Sequence, residues 1–362
     1  MTSRVPEVPT RPPDSASEMT PFISVVVTAH GRRQFLREAV GSVLAQTLPR
    51  SEFEVCVVKD FADLPIDTFL EGNSVGHVET DEVPLGAKLA IGTRAARGEV
   101  LTFLEDDDAY APERLRAVAD RFRASPELGY FRNGQHLIGE NGADLPESAY
   151  GQAHRNLVRI GVVDAPRHAL GRRLGDLARV DPDFNLSSIA VRRSVLLPHL
   201  EELRGQRAAV DSFVFYAALS AGLGARIDPT ALTRYRVHGS NVSLWGGDAE
   251  HAAGQRAAYQ RTFLDSFRPI YERTVRAGPP AAAALAGSAY FGTRVLYDVL
   301  TGDGGGRTLR SDLRRFVRVS PWSVLLYRRD ISAWGTAAAL APRRARSAFL
   351  RRRVEESRRA RG

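Results

Sequence analysis

The feature that most constrains the fold is a short apolar strand that runs directly into a row of acidic residues. Residues 99–105 read EVLTFLE, and Asp106, Asp107 and Asp108 follow at once. A strand that is apolar on both faces is typical of a parallel sheet with helices on both sides. The carboxyl end of such a strand is where ligands bind in α/β proteins. The acidic residues are therefore expected at a ligand site.

Strands and helices alternate along the first part of the chain. This order predicts the α/β class, with a mostly parallel, Rossmann-like sheet flanked by helices. The predicted strands are Phe22–Thr28, Phe53–Asp60, Gly76–Thr80 and Glu99–Glu105, and the helices between them include Leu85–Arg97 and one opened by Pro112.

The later part of the chain gives coarser predictions. A helix is expected from about Gln152 to Leu177, a strand over Leu186–Arg192, a helix beginning at Asp211 and a strand over Ala231–Ser243. We therefore predict a disordered N-terminus (1–20), an α/β domain (21–245, with halves 21–130 and 131–245) and a basic helical C-terminal region (246–362).

Composition excludes several classes of protein. The 362 residues are 43% hydrophobic and 25% charged, which is ordinary for a globular chain and excludes a wholly disordered or multi-span membrane protein. The single cysteine, Cys56, excludes a disulfide framework and fits a reducing cytosol. No run of about 18 uncharged apolar residues occurs, and residues 1–20 lack the apolar core of a signal peptide. We expect a cytoplasmic protein.

Positive charge is concentrated at the C-terminus. The net charge is +8, yet residues 306–362 alone hold 16 arginines and 4 acidic residues. A basic tail on a mildly acidic body indicates an anionic partner, either a membrane surface or a nucleic acid. Only two of the 50 basic residues are lysines, Lys59 and Lys88.

The acidic run itself predicts a divalent cation. Four adjacent carboxylates repel each other unless a cation lies between them. If the strand continued, alternation would place Glu105 and Asp107 on one face and Asp106 and Asp108 on the other. Either pair could hold Mg²⁺ or Mn²⁺ through oxygen. The alternative is a solvated acidic loop that caps the helix opened by Pro112.

Four motifs, in order, resemble the family 2 inverting glycosyltransferases, which have the GT-A fold. They are SVVVTAHGR, EVCVVKDFAD, ARGEVLTFLEDDDAYAPERL and YRVHGSNVS, and the resemblance extends over residues 22–243. It implies an enzyme that transfers a sugar from a nucleotide-diphosphate donor, with a UDP-sugar favoured and a dTDP-sugar next, to an acceptor hydroxyl. The acceptor would be a saccharide or a lipid-linked molecule.

The resemblance also implies roles for individual residues. The nucleotide-binding residues would be Thr28, Ala29, His30, Asp60, Lys88 and Asp106, with Asp60 accepting from the imide N–H of the base. The metal ligands would be Glu105, Asp107 and His238, holding Mg²⁺ or Mn²⁺. Asp211 would be the catalytic base.

Simpler readings of three of these residues remain open. His238 could be a solvent-facing loop residue, Lys88 a helix-surface lysine, and Asp211 the N-cap of its helix.

Two other functional classes also remain open. In a phosphohydrolase of the haloacid dehalogenase type, Asp106 and Asp108 would have the required spacing, although Tyr110 departs from that pattern. A non-catalytic anion-binding module would account for the arginine-rich tail alone. Between the possible anionic partners of the tail, the apolar and aromatic residues among its arginines favour a membrane surface on the cytoplasmic side over nucleic acid.

Overall fold

The computed structural model describes residues 20–31, 33–239, 249–301 and 305–328. The strands in these ranges are β1 (Ile23–Ala29), β2 (Phe53–Lys59), β3 (Gly76–Glu79), β4 (Val100–Glu105), β5 (Ala109–Tyr110), β6 (Leu128–Gly139), β7 (Val163–Ala165), β8 (Ile189–Arg192) and β9 (Gly224–Val237). The α-helices are α1 (Arg33–Leu44), α2 (Leu64–Gly72), α3 (Leu85–Ala95), α4 (Arg114–Ala124), α5 (Gln152–Ile160), α6 (Leu170–Val180), α7 (Arg193–Leu196), α8 (Leu200–Arg204), α9 (Val210–Ser220), α10 (Ala249–Ala277), α11 (Pro280–Thr301), α12 (Gly305–Val319) and α13 (Trp322–Tyr327).

The two central strands are apolar on both faces and are covered on both. Every residue of β1 is buried, as is every residue of β4 except Glu105. β1 pairs in parallel with β2 on one side and β4 on the other, so that Thr28 lies opposite both Val58 and Glu105. The strand order reverses here, and a crevice opens at the carboxyl ends of β1 and β4 because their connections leave in opposite directions.

The nine strands of the described residues form one mixed sheet. The order is β3-β2-β1-β4-β8-β6-β9-β5, and β7 pairs with β9. The first four strands are parallel, whereas β8 is antiparallel to both β4 and β6. The predicted α/β, GT-A-like class is confirmed, with a sheet that is parallel in its N-terminal half and mixed beyond it.

Each face of the sheet has its own hydrophobic core. On one face, α1 and α4 contribute Leu36, Val40 and Phe122. On the other, α6 and α9 contribute Leu177 and Phe213. Because each core holds its helices on one face of the sheet, α1 reaches the crevice from one side and α9 from the other.

The prediction of one helix from Gln152 to Leu177 is wrong. The segment forms α5, the short strand β7 and α6. Gly161 ends α5 with a φ of +79°, a conformation that few side chains permit, and Pro166 precedes the start of α6. Strand β6 was not predicted at all, because its buried polar residues, such as Asn133 and Gln135, interrupt the apolar pattern.

The predicted helical C-terminal region is confirmed for the described residues. The ring of Phe267 on α10 lies 5.5 Å from that of Tyr216 on α9. On α6, Gly175 lies so close to Ser323 on α13 that a Cβ there would approach it to 2.8 Å. These helices therefore complete the core of the α9 face. No helix in the described ranges has both the length and the apolarity needed to cross a membrane.

Several predictions fall on residues outside the described ranges. They include the predicted disordered N-terminus, apart from residue 20, the boundary near residue 245, and the part of the basic tail that holds Trp334, Phe349 and Leu350. The division into domains stays a prediction.

Candidate active site

The ends of β1 and β4 are linked by backbone and side-chain hydrogen bonds. The N–H of Asp106 donates to the carbonyl of Thr28 at 3.1 Å, and the N–H of His30 donates to Oδ2 of Asp106 at 2.9 Å. The hydroxyl of Thr28 is buried and has no hydrogen-bond partner among the described residues. Four of the predicted nucleotide-binding residues (Thr28, Ala29, His30 and Asp106) therefore lie together at one edge of the sheet.

Lys88 is buried beneath this edge, so the reading of it as a helix-surface residue is wrong. Its ammonium lies 2.6 Å from the carbonyl of Ala29, 2.8 Å from Oδ2 of Asp60 and 2.8 Å from Nδ1 of His30. An ammonium can only donate, so Nδ1 of His30 accepts, and this ring carries its proton on Nε2. With its three donors engaged, Lys88 could contact a phosphate only by releasing one of these partners.

Asp60 is held as a carboxylate by this arrangement. Partial burial acts to raise its pKa, but the hydrogen bond and charge of Lys88, with the N–H of Gly31, hold that pKa below its usual value. Oδ1 of Asp60 accepts from the N–H of Gly31 at 2.9 Å. A carboxylate fixed in this way can accept from an N–H group of a nucleobase.

The acidic residues after β4 do not continue the strand. Asp106 and Asp107 lie in a turn, and the N–H of Asp108 donates to the carbonyl of Glu105 at 3.2 Å. The expected alternation of the four side chains is therefore wrong, because it requires an extended backbone. The carboxylates instead diverge, and each faces different partners.

Two of these carboxyl groups have strongly raised pKa values. Burial, followed by the charge of Asp107, raises the pKa of Glu105 well above its usual value. Burial and the charge of Asp107 also raise the pKa of Asp108 to about 7, although hydrogen bonds from Arg236, Ser187 and Asn185 act in the opposite direction. The site concentrates negative charge in a place with little water, which favours a bound cation.

Of the three predicted metal ligands, the structure pairs Asp107 with His238. Oδ2 of Asp107 lies 3.0 Å from Nε2 of His238, which is buried, so the reading of His238 as a solvent-facing residue is wrong. No group of three or more His, Cys, Asp or Glu side chains in the described residues is arranged to hold a metal ion. A carboxylate and an imidazole are both donors that Mg²⁺ or Mn²⁺ accepts, so the side chains of Asp107 and His238 are compatible with a metal site that needs further ligands from elsewhere.

Sequence reasoning missed Arg236, which holds the acidic turn in place. Its Nε donates to the carbonyl of Asp107 at 2.8 Å, its backbone N–H donates to Asp108 at 2.9 Å, and its guanidinium pairs with Glu38 at 2.6 Å. The guanidinium also lies over the ring of Phe35, 4.5 Å from its centroid. Arg236 lies two residues before His238, so strand alternation places both side chains on the same face. This spacing was the signal in the sequence that could have identified Arg236 as a site residue.

Asp211 lies in the first turn of α9 but is not its N-cap. The N-cap is Ala209, two residues earlier, with a φ of +55°. Burial raises the pKa of Asp211 to about 7, and the charge of Asp183 adds to this, while the N–H groups of Asp211 and Asn185 lower it. Asp211 also contributes to the raised pKa of Glu105, so the two carboxyl groups share the crevice.

Sequence reasoning also missed Asn185 and Asp183, which link the acidic turn to α9. The side-chain amide of Asn185 donates to Asp108 at 3.0 Å, and its backbone N–H faces Asp211. Asn185 has a φ of +63°, and the hydroxyl of Ser212 donates to Asp183. An Asp-Phe-Asn sequence in a loop carries no motif that would have identified these roles.

An open cleft of about 760 Å³ lies beside the site on the α1 side of the sheet. Its lining includes Gly31, Arg33, Arg37, Glu140 and His238. Gly31 and His238 connect the cleft to the Asp60 and Asp107 contacts described above. The lining also includes Asp63, which pairs with Arg33 at 3.0 Å, so two arginines and two carboxylates balance in charge along the cleft.

Residues 24–156, a little over a third of the chain, match the family described as Glycosyl transferase family 2. An uncharacterized glycosyltransferase of Nostoc sp. is 29% identical over 113 residues, which are 30% of this chain and 34% of the relative. One of Rickettsia bellii is 26% identical over 139 residues, which are 36% of this chain and 20% of the relative. The chain thus spans about a third or less of the length of these relatives.

Solved structures resemble the chain over nearly its whole length. S. aureus TarS 1–349 in complex with UDP-GlcNAc has a TM-score of 0.56 at 17% identity, with 93% of this chain and 91% of that one covered. The mannosyltransferase PcManGT from Pyrobaculum calidifontis, in complex with GDP-Man and Mn²⁺, has a TM-score of 0.53 at 16% identity, with 92% and 84% covered. At these identities the likeness shows the fold. Residues 24–156 therefore resemble glycosyl transferase family 2, within a fold similar to those of TarS and the mannosyltransferase PcManGT.

Proposed function

We propose that this protein is a metal-dependent, inverting glycosyltransferase that moves a sugar from a nucleotide-diphosphate donor, with a UDP-sugar favoured, to an acceptor hydroxyl. The observation that carries the proposal is the contact of Asp107 with His238 just after β4, at the edge of the sheet where β1 and β2 also end, in His30 and Asp60. The match to a glycosyltransferase family over residues 24–156 supports it.

The donor would occupy the crevice from the α1 side. The carboxylate of Asp60, fixed by Lys88 and Gly31, accepts the imide N–H of uracil, and the cleft beside Gly31 and His238 receives the rest of the donor. A bound Mg²⁺ or Mn²⁺ would neutralise the charge of the leaving diphosphate. Nucleotide-sugar complexes of the neighbouring structures, with UDP-GlcNAc and with GDP-Man, support this donor class.

Inversion needs one base on the face opposite the leaving group, and Asp211 is the candidate. Its carboxylate takes the proton of the acceptor hydroxyl while that oxygen forms a bond to the anomeric carbon and the bond from this carbon to the diphosphate oxygen breaks. The raised pKa of Asp211, about 7, makes it a stronger base than an exposed aspartate.

The phosphohydrolase alternative is disfavoured by the contacts of Asp108. That mechanism needs the second acid free to exchange a proton with substrate, yet both oxygens of Asp108 accept hydrogen bonds, one from the N–H of Arg236 and one from Asn185. A purely anion-binding module leaves the converging carboxylates unexplained.

The direct test is release of nucleoside diphosphate from a donor panel. Purified full-length protein is incubated with Mn²⁺ and, in turn, UDP-, dTDP- and GDP-sugars, alone and with cell-envelope extract as acceptor source. We expect release from a UDP-sugar that the extract accelerates. A protein that binds no nucleotide and releases none from any donor would refute the proposal.

We also propose that the enzyme acts at an anionic membrane surface on the cytoplasmic side. The apolar face of α12 is buried through Leu309 and Phe316, while Arg310, Arg314, Arg315 and Arg318 line a shallow basic groove. On the next helix, α13, Trp322 is 79% exposed and Leu326 is 65% exposed. Cationic side chains next to exposed apolar ones suit the interface of an anionic bilayer.

A further inference from the structure

An aromatic pair with one exposed and one half-buried ring lies on the α9 side of the sheet. Phe184 is 42% exposed, the most exposed phenylalanine of the described residues. Its ring centroid lies 5.8 Å from that of Tyr235, with the rings inclined at 65°. An edge-to-face pair of this kind is a rigid surface, because each ring limits the rotation of the other.

The loop that carries Phe184 is held in place by polar contacts on its buried side. The carbonyl of Phe184 accepts from Nε of Arg132 at 3.0 Å, and the next residue, Asn185, is bound to Asp108 at 3.0 Å. The hydroxyl of Ser188 donates to the side-chain oxygen of Asn185 at 2.9 Å. Phe184 is therefore held in an exposed position by buried polar contacts, and few of its neighbours would have to move to bind a ligand.

This pair is adjacent to the candidate base. Asp183, the residue before Phe184, accepts from the hydroxyl of Ser212, which follows Asp211 on α9. Along β9, Tyr235 alternates with Arg236, whose side chain points to Phe35 and the α1 side. Tyr235 thus faces the α9 side of the sheet, the side that carries Asp211.

A third aromatic residue lies on α10, which packs against α9. Tyr259 on α10 is 37% exposed. Burial raises its pKa to about 12, and the negative charges of Asp211, Asp183 and Glu105 add to the effect. The C-terminal helices therefore place a phenol near the carboxylates of the crevice.

We propose that Phe184 and Tyr235 form the binding surface for the acceptor, and that the acceptor is a saccharide whose ring presents its apolar C–H face to these side chains. The proposal rests on the proposed transfer reaction and specifies the acceptor class for it. One face of a pyranose is lined by C–H groups and packs on aromatic rings, while its rim of hydroxyls seeks hydrogen bonds. Stacked here, a sugar places a hydroxyl toward Asp211 and further hydroxyls toward Asp183 and Tyr259.

The test measures sugar contact separately from donor binding. Saturation-transfer-difference NMR is recorded on full-length protein with UDP and Mn²⁺, using methyl glycosides of glucose, galactose, mannose and N-acetylglucosamine as probes. We expect at least one probe to show the strongest transfer to the ring protons of one face. Phe184→Leu keeps an apolar side chain but removes the ring, and should weaken that contact about fivefold to tenfold.

Two controls keep the outcomes distinct. Phe184→Tyr should retain the contact, and Val275→Ala, at a 52% exposed position on α10, should leave it unchanged. UDP binding, followed by thermal shift, should be the same in all four proteins. Absence of contact with every probe in the wild type, or equal contact in Phe184→Leu, overturns the acceptor proposal, whereas loss of UDP binding in the wild type itself overturns the proposed function.

Discussion

The ammonium of Lys88 lies 2.8 Å from Oδ2 of Asp60, and both residues belong to the predicted nucleotide site. The lysine comes from α3 and the aspartate from the end of β2, so their contact depends on the packing of that helix against the sheet. Lys59, the only other lysine of the chain, is also buried, and pairs with Asp67 at 3.1 Å and Glu79 at 3.2 Å. The two lysines form a natural pair for comparison.

Lys88→Met should weaken UDP binding at least tenfold, because Asp60 would lose the partner that keeps it ionised and oriented. It should also lower the free energy of unfolding by about 1–3 kcal/mol, because the partly exposed carboxylate of Asp60 would be left without its ion-pair partner. Isothermal titration with UDP and Mn²⁺, together with urea denaturation, measures both effects.

The matched control is Lys59→Met. It should lower stability by a similar amount and leave UDP affinity unchanged, because its ion-pair partners are Asp67 on α2 and Glu79 on β3 and not Asp60. If the two variants lose UDP affinity equally, Lys88 affects UDP binding only through the stability of the fold.

Removal of divalent cation should abolish transfer. Excess EDTA should eliminate nucleotide release, and Mn²⁺ should restore it in the wild type. Asp107→Asn should not be rescued by Mn²⁺, because the carboxylate that faces His238 at 3.0 Å would be lost. The control variant is Asp144→Asn, because the side chain of Asp144 is 70% exposed and forms an ion pair with His136. Full activity in EDTA would contradict metal dependence.

Asp211→Asn should lower kcat by about two to four orders of magnitude, the usual contribution of a general base. UDP affinity should stay unchanged, since the residue lies on the α9 side of the sheet. Ser212→Ala, at the neighbouring position that binds Asp183, is the control for a local change in helix structure. Near-normal turnover in Asp211→Asn would assign the base to another residue.

The pH dependence should follow the raised pKa of Asp211, about 7. Because the base acts as a carboxylate, kcat/KM should fall about tenfold per unit below that pH and level off above it. The free energy of unfolding should change with pH in the opposite direction to kcat/KM. A carboxyl whose pKa is raised by folding stabilises the protein when protonated, and this contribution is lost as pH rises from about 4 to about 7.

Asp211→Asn should therefore gain stability relative to the wild type across that interval. Thermal denaturation at pH 5 and pH 8 tests this, with a higher Tm of the variant expected at pH 8. A variant that melts below the wild type at both values would show that the carboxylate itself is stabilising.

The full-length protein should sediment with anionic vesicles and be released by high salt, whereas a chain ending near Pro321 should sediment less, because it keeps the arginines of α12 and loses Trp322 and Leu326. The salt effect follows because charge attraction at a surface is screened within about 10 Å at 0.1 M. Arg314→Glu on α12 should weaken the association more than Arg268→Glu on α10, although both change the charge equally. Equal sedimentation of full-length and shortened chains would leave the helices with a packing role alone.

Local sequence patterns were enough to predict the α/β class and to place some residues at the edge of the crevice. Apolar runs such as 100–104 predict buried strands wherever they fold, and residues that directly follow parallel strands share one edge by geometry. Thr28, Asp60 and Asp106 could therefore be placed together before any contact was known. The strand β6 escaped prediction because its polar residues are satisfied by partners far along the chain.

Tertiary structure alone decided what each polar side chain does. Asp106 to Asp108 are adjacent in sequence, yet their partners are His30, His238 and Asn185, because the chain turns after Glu105 and each carboxylate meets a different segment. The burial that brings the pKa of Asp211 to about 7 comes from packing that no local pattern encodes. The sequence by itself determined, through strand periodicity, that Thr28, Asp60 and Asp106 reach the crevice. Their charge states and pairings depended on contacts between segments more than 70 residues apart, which only the folded chain brings within hydrogen-bonding distance.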